Sequence, residues 1–188
     1  ADDIYKSCSF DFIESSHTLH SDEIYDSLKT TLTVQPFYGI RYGLQQTSSS
    51  GCEYPDLTAD LIRTINNGAA LINYIGHGSP ETWAGEKILT KTRDLPLIQA
   101  DNGKLAIWVA GTCSFGKYDE VDSFMEDLLL KKDGAIALVA TTDVIGYTEN
   151  SNYLNNLFGL SDSFGIKHIV RNGYNIRLGE LILNSKNG

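Results

Sequence analysis

The chain has 188 residues, of which 41% are hydrophobic and 21% charged, and 24 acidic against 15 basic side chains give a formal net charge of −9. That size and balance suit one packed domain rather than a disordered segment. They exclude a nucleic-acid binder, which needs Lys and Arg stripes to neutralise phosphates, and no apolar run approaches the roughly 18–20 residues that cross a bilayer.

The N-terminus, Ala1-Asp2-Asp3-Ile4, has neither the basic region nor the apolar stretch of a signal peptide. Over residues 4–13, Ile4, Tyr5, Cys8 and Phe12 fall at helical spacing, with Asp2 or Asp3 as the cap. His17 and His20 could touch on a helix. Ser15, Ser16 and Thr18 mark that segment as a helix end, and a solvated turn is the plainer reading than a metal site. Residues 23–25 read as a short strand, extended by the β-branched stretch 30–34. Residues 35–53 read as a long polar loop containing Gly39, Gly43 and Ser48-Ser49-Ser50-Gly51. Loops of that length are usually functional or mobile.

Pro55-Asp56 opens the next helix, with Leu57, Leu61, Ile62 and Ile65 on one face and Asn66-Asn67-Gly68 as the stop. Three apolar runs follow, at 69–75, 105–110 and 135–140. They end at Gly76, at Gly111-Thr112-Cys113 and at Thr141-Thr142-Asp143. Short apolar runs without alternation predict strands buried on both faces, as in a parallel sheet. Helices are expected over 121–131, 151–160 and 174–183. This order predicts an α/β sandwich with helices on both sides of a mostly parallel sheet. So few strands are thin for such a sheet, so the chain is expected to be a fragment of a larger catalytic domain whose N-terminal strands lie outside it.

Cys8, Cys52 and Cys113 do not make a disulfide framework, and the odd count leaves at least one thiol free. The four histidines show no zinc-site spacing. In open parallel sheets ligands bind beyond the carboxyl ends of the strands. The first buried strand ends Ile75-Gly76-His77-Gly78 and the second Gly111-Thr112-Cys113-Ser114. If these strands are neighbours, His77 and Cys113 emerge at one edge. A thiolate is a good nucleophile, and an imidazole beside it supplies the base and the leaving-group acid. Gly76 and Gly78 permit close approach of a substrate carbonyl, and the N–H groups of Gly78 and Cys113 can point at a developing oxyanion.

Each residue also has a plainer reading. A lone Cys ending an apolar strand is more often a structural thiol, and a lone His between glycines is often a turn residue. Their coincidence at the same end of consecutive strands favours chemistry. Cys8 suits the core face of its helix, Cys52 lies in the loop, and His168 between Ile166 and Ile169 reads as structural.

Gly-His-Gly after an apolar strand, then an apolar strand ending in Cys, resembles the clan CD cysteine peptidases, which include caspases, legumains and gingipains. The segments YPDLTADLIRTINNGAALINYIGHG, ETWAGEKILT, VAGTCSFGKYD and DGAIALVATTDVIGY, spanning about residues 54–160, are similar to the gingipain family. Within it they look most like the PorU-type sortases of the type IX secretion system, and DEIYD at 22–26 resembles the strand before the sortases' variable loop. The resemblance implies one caspase-like α/β/α domain over residues 1–188, with Cys113 as nucleophile and His77 as general acid/base. Gly78 and Cys113 then form the oxyanion hole, and neither a cofactor nor a metal is required.

Such an enzyme removes C-terminal sorting domains from secreted cargo through a thioester acyl-enzyme, and can pass the acyl group to an amine on surface lipopolysaccharide. The implied location is the bacterial cell surface or outer membrane, with other type IX secretion components as partners. The family's acidic orienter of the histidine implies Asp26 here, with Glu53 and Asp56 as alternatives, although a solvated role is the plainer reading of each. Glu81, Trp83 and Glu86, in the loop after His77, could line a peptide groove, Trp83 being equally readable as a packing residue. Asp119, Glu120 and Asp122 read as caps of the helix starting near 121, or more remotely as calcium ligands.

The sequence departs from the family at Ser79-Pro80-Glu81, where Gly-Gly-Glu is usual, and at residues 99–103 before the Cys strand. The rival readings are a general gingipain-like protease and a catalytically incompetent domain serving as a protein-binding scaffold. A nucleotide-binding domain ranks last, since neither G-x-G-x-x-G nor a Walker loop is present.

Overall fold

The computed structural model describes residues 16–46, 51–100, 103–119, 122–161 and 164–187. They fall in two compact units, the first up to residue 18 and over 37–145, the second over 19–36 and from 146 onward. The first described helix, α1 (Ser16–Leu28), replaces the strand expected at 23–25. Its buried positions are His17, His20, Ile24 and Leu28, which recur at helical spacing. Residues 30–34 form a turn and irregular backbone rather than a strand. The helix expected over 4–13 lies outside the described residues.

In the first unit, the loop expected over 35–53 contains a 3-10 turn at Gly39–Arg41 and a hairpin of β1 (Gln45–Gln46) and β2 (Cys52–Glu53). Cys52 is buried in β2 and disulfide-bonded, whereas Cys113 is a free thiol. Next comes α2 (Pro55–Asn67), where Pro55 supplies the fixed φ of a first helical residue. Its Leu57, Thr58, Leu61 and Ile65 are buried, and Gly68 ends it with φ 99°.

The central sheet is parallel, with β7 (Ala106–Gly111) between β3 (Leu71–Ile75) and β8 (Ala135–Ala140). Burial on both faces holds for β7, where every residue but Ile107 is buried. It does not hold for β3, which alternates over most of its length, or for β8, where Ile136 is 62% exposed. The difference follows from position: β7 is flanked by strands on both sides, and the other two are the sheet's edges among the described residues.

A small antiparallel sheet not expected from the sequence, β4 (Gly78–Ser79), β5 (Thr82–Trp83) and β6 (Leu89–Thr90), follows β3 and leads into α3 (Lys91–Asp94). Trp83 joins it to the core, stacked on Tyr74 at 4.3 Å and 7° and packed against Trp108 and Phe115 at 5.4 and 5.5 Å. Offset aromatic contacts of this kind add to the burial of the rings themselves. Helix α4 (Phe124–Leu130) begins later than expected. Its N-cap is Ser123, whose hydroxyl accepts the Glu126 N–H while the Glu126 carboxylate accepts the Ser123 N–H, a reciprocal capping box. Asp119 and Asp122 are therefore not its N-cap, and Glu120 lies outside the described residues.

The second unit holds α5 (Tyr147–Phe158), α6 (Ile166–Asn172) and α7 (Leu178–Asn187). Helix α6 was not expected, and α5 and α7 are displaced by a few residues from the predicted spans. Gly159 ends α5 in the left-handed region at φ 75°. His20 is buried, with Nε2 2.9 Å from Asn155 Oδ1 and Nδ1 3.4 Å from Ser151 Oγ. Among the described residues no helix is long and apolar enough to cross a membrane.

Candidate active site

Strands β3 and β7 end together. Ile75 pairs with Gly111, and the Gly76 N–H donates to the Gly111 carbonyl at 3.4 Å. Neighbouring strands lie about 4.8 Å apart, so two residues further on His77 and Cys113 leave the sheet at the same edge. His77 is exposed and Cys113 half-buried.

The His77 carbonyl accepts hydrogen bonds from the Tyr74 hydroxyl at 2.7 Å and the Ala84 N–H at 2.8 Å. Because Tyr74 is stacked on Trp83, this anchor belongs to the aromatic core. Gly78 then lies against Thr112, the residue before Cys113. A Cβ at position 78 would sit 3.0 Å from Thr112 Cγ2 and 3.2 Å from Thr112 Cβ, and nearer still to its Oγ1. Only glycine permits that approach.

The backbone after Cys113 turns sharply: Ser114 has φ 54°, a region that residues with a Cβ seldom occupy. The continuation of β8 holds this turn. Ser114 N–H donates to Asp143 O at 3.1 Å, Gly116 N–H to Thr141 O at 2.8 Å, and the Thr141 hydroxyl to the Thr112 carbonyl. The Cys113 sulfur lies 3.7 Å from the Ile145 carbonyl, within reach of a weak S–H donor. Segments following all three parallel strands thus converge around Cys113.

The other candidate residues fare differently. Trp83 is 1% exposed, a core residue and not part of a groove surface. Glu81 is exposed in the turn between β4 and β5, and Glu86 is half-buried in the turn before β6. Asp26 was expected to follow a strand, but it stands on α1, exposed, with its carboxylate 2.5 Å from Lys29 Nζ. Glu53 pairs with Arg93 at 2.7 Å and Lys87 at 3.4 Å, and Asp56 is exposed in the first turn of α2. Among the described residues no three His, Cys, Asp or Glu side chains cluster as metal ligands would.

One neighbour of His77 was missed. His17 is buried, and its ring centroid lies 4.9 Å from that of His77 with the planes at 79°. The signal was the helical spacing of His17, His20, Ile24 and Leu28, in which two histidines occupy positions usually marked by apolar residues.

The sequence profile of peptidase family C25 matches residues 5–188. Among solved structures, the crystal structure of the Arg-specific cysteine proteinase gingipain R (RgpB) is similar, with a TM-score of 0.66 and 18% identity over 89% of this chain and 36% of that one. The complex of Porphyromonas gingivalis RgpB pro- and mature domains gives a TM-score of 0.56 and 18% identity, over 89% of this chain and 38% of that one. No curated protein sequence matches. The chain thus spans little more than a third of the length of either solved chain, and at this identity the likeness is one of fold. The profile match runs along nearly the whole chain, and on it the chain belongs to peptidase family C25, the gingipain-type cysteine peptidases.

Proposed function

We propose that this chain carries the reacting groups of a C25 cysteine endopeptidase, with Cys113 as nucleophile and His77 as general acid/base. The observation that supports it most is the register of β3 and β7, with Gly78 resting on the residue before Cys113. In this reading the Cys113 thiolate attacks the scissile carbonyl, and the N–H groups of Gly78 and Cys113 stabilise the oxyanion. The C–N bond breaks as His77 protonates the leaving amine, leaving a thioester. His77 then takes a proton from the incoming nucleophile, and attack on the thioester releases the thiolate.

If water attacks, the outcome is hydrolysis; if an amine attacks, it is transpeptidation. The similarity of the strand-end segments to the type IX secretion sortases favours the second outcome. It points to secreted cargo with C-terminal sorting domains as substrate, to other secretion components as partners, and to the bacterial outer surface. The disulfide at Cys52 suits an oxidising compartment of that kind. Glu81 and Glu86 would give the substrate side of the site an acidic rim. Asp26, bound to Lys29, has no part in this reading.

The test uses the full-length protein and two substrates, cargo bearing a sorting domain and an unfolded protein such as casein. Cys113→Ala should abolish turnover, and His77→Ala should slow it by about 10²–10⁴-fold. Cleavage confined to the cargo, with an amine-linked product when acceptor is supplied, supports the sortase; ready cleavage of casein without acceptor dependence supports a general protease. Unchanged cargo processing by Cys113→Ala would leave the scaffold reading in its place.

A further inference from the structure

Two amide donors stabilise one developing oxyanion only if both lie at hydrogen-bond distance from the same point, and a misplacement of about 1 Å can cost a hundredfold in rate. The two N–H groups proposed here come from different strand ends, Gly78 after β3 and Cys113 after β7. Thr112 touches both sides of the gap between them. Its carbonyl carbon is bonded to the Cys113 nitrogen, and the planar trans peptide points the Cys113 N–H opposite to the Thr112 carbonyl. The Thr141 hydroxyl, from the end of β8, donates to that carbonyl and so fixes the direction of the Cys113 N–H as well. On the other side, the Thr112 side chain lies against the backbone of Gly78. A Cβ at position 78 would stand 3.0 Å from Thr112 Cγ2, and nearer still to Oγ1. Gly78 is backed by its pairing with Trp83, whose side chain is buried in the core.

The Thr112 hydroxyl is out of place as a core group. The residue is 1% exposed, and its Oγ1 has no hydrogen-bond partner among the described residues. A buried, unpaired hydroxyl costs stability that a valine of the same shape would not. What the oxygen offers over a methyl group is a smaller contact radius, which lets the Gly78 backbone come closer.

We propose that Thr112 is the positioning residue of the oxyanion hole, its hydroxyl oxygen acting as the spacer that sets the distance between the Gly78 and Cys113 N–H groups. The inference rests on the Cys113–His77 reading above and deepens it, because it names the side chain that aligns the two donors.

The test compares two reagents at Cys113 in the full chain. With p-nitrophenyl acetate the thiolate attacks the ester carbonyl, an oxyanion forms and collapses, p-nitrophenolate leaves and a thioester remains. With iodoacetamide the thiolate displaces iodide from a saturated carbon, and no oxyanion forms. Peptide mass spectrometry after short exposures gives both rates at Cys113. Each rate scales with the thiolate fraction and with access, so the ratio of acylation to alkylation reads the stabilisation of the oxyanion. A merely structural role for Thr112 would move both rates together and leave the ratio alone. Thr112→Val puts a methyl group where the oxygen stands and should lower the ratio about tenfold. Thr112→Ala removes the spacer and should lower it severalfold. Thr112→Ser returns the oxygen and should restore the ratio to within about twofold of the unsubstituted chain.

An unchanged ratio in the valine variant would overturn the assignment, and so would a serine variant as low as valine. If valine prevents folding, the alanine variant decides in its place, and an unchanged ratio there refutes the spacer. Free cysteine, measured with the same two reagents, separates this from the parent reading. A ratio well above that of free cysteine, unmoved by the substitutions, refutes Thr112 alone. An unsubstituted chain with a ratio no higher than that of free cysteine refutes the oxyanion hole and the positioning role together.

Discussion

The backbone of Gly78 rests directly on the side chain of Thr112, leaving no room for a Cβ between them. Since Thr112 precedes Cys113, pressure at position 78 is passed to the proposed nucleophile. Gly78→Ala should therefore cost about 1–3 kcal/mol of stability and slow Cys113 chemistry as well. Gly85→Ala, where a Cβ meets nothing within 4 Å, is the neutral control. Adding Thr112→Ala to Gly78→Ala removes the nearest obstructing atoms and should recover part of the loss, a coupling that urea denaturation of the four proteins would measure.

The cysteines should divide cleanly by redox state. Cys113 is the free thiol and Cys52 is disulfide-bonded. Iodoacetamide added to the folded, unreduced chain should modify Cys113 and leave Cys52 untouched, and Cys52 should become reactive only after reduction. Peptide mapping with and without reductant checks this, and early labelling of Cys52 would contradict it.

The buried charge at Asp94 should matter more to stability than any surface ion pair. Its carboxylate is 0% exposed, accepts the Thr90 N–H at 2.6 Å, and holds Arg93 through Nε at 2.8 Å and Nη2 at 2.9 Å. Those hydrogen bonds push the Arg93 pKa above its ordinary value, against the opposing effect of partial burial. Asp94→Ala strands the Thr90 N–H and leaves Arg93 only its bonds to Glu53 and the Lys87 carbonyl, and it should cost about 3 kcal/mol in urea denaturation. Lys29→Ala, which removes the exposed pair with Asp26, should change stability by less than about 1 kcal/mol.

Tyr153 should govern part of the alkaline stability of the second unit. Burial pushes its phenol pKa up, and its buried hydroxyl has no hydrogen-bond partner among the described residues. The folded state therefore holds the phenolic proton more tightly than the unfolded chain. Stability from this source is complete below the unfolded value of about 10 and fades as pH rises through the folded value. Tyr153→Phe has no proton to lose, so it should lose less stability between pH 8 and the alkaline range. At neutral pH it should be equal to the parent or more stable by up to about 1 kcal/mol, as measured by denaturation at each pH.

The parallel strands were legible because their apolar runs lack alternation, and the placement of His77 and Cys113 followed from where those runs stop. Helix α2 was legible through Pro55 and Gly68, which mark its two ends. Helix α1 was not, because its buried stripe begins with His17 and His20, which read as polar until their burial is seen. The same disguise hid the neighbour of His77. The sheet of β4, β5 and β6 escaped notice because each strand has only two residues, too few to show a period. Trp83 could be read as a groove residue or as packing, and its stack on Tyr74 assigns it to the core.

The aromatic cluster also determines what light can report about this protein. The chain has two tryptophans, Trp83 and Trp108, and both are buried within the first unit, 5.4 Å apart. Their emission should shift to the red when that core opens and stay silent while α5, α6 and α7 melt. Far-ultraviolet ellipticity, by contrast, draws on helices of both units. If the units unfold separately, the two optical transitions will not superimpose; if they unfold as one cooperative block, the curves will coincide. A denaturation curve followed by fluorescence alone therefore measures the stability of the unit that holds Cys113 and His77.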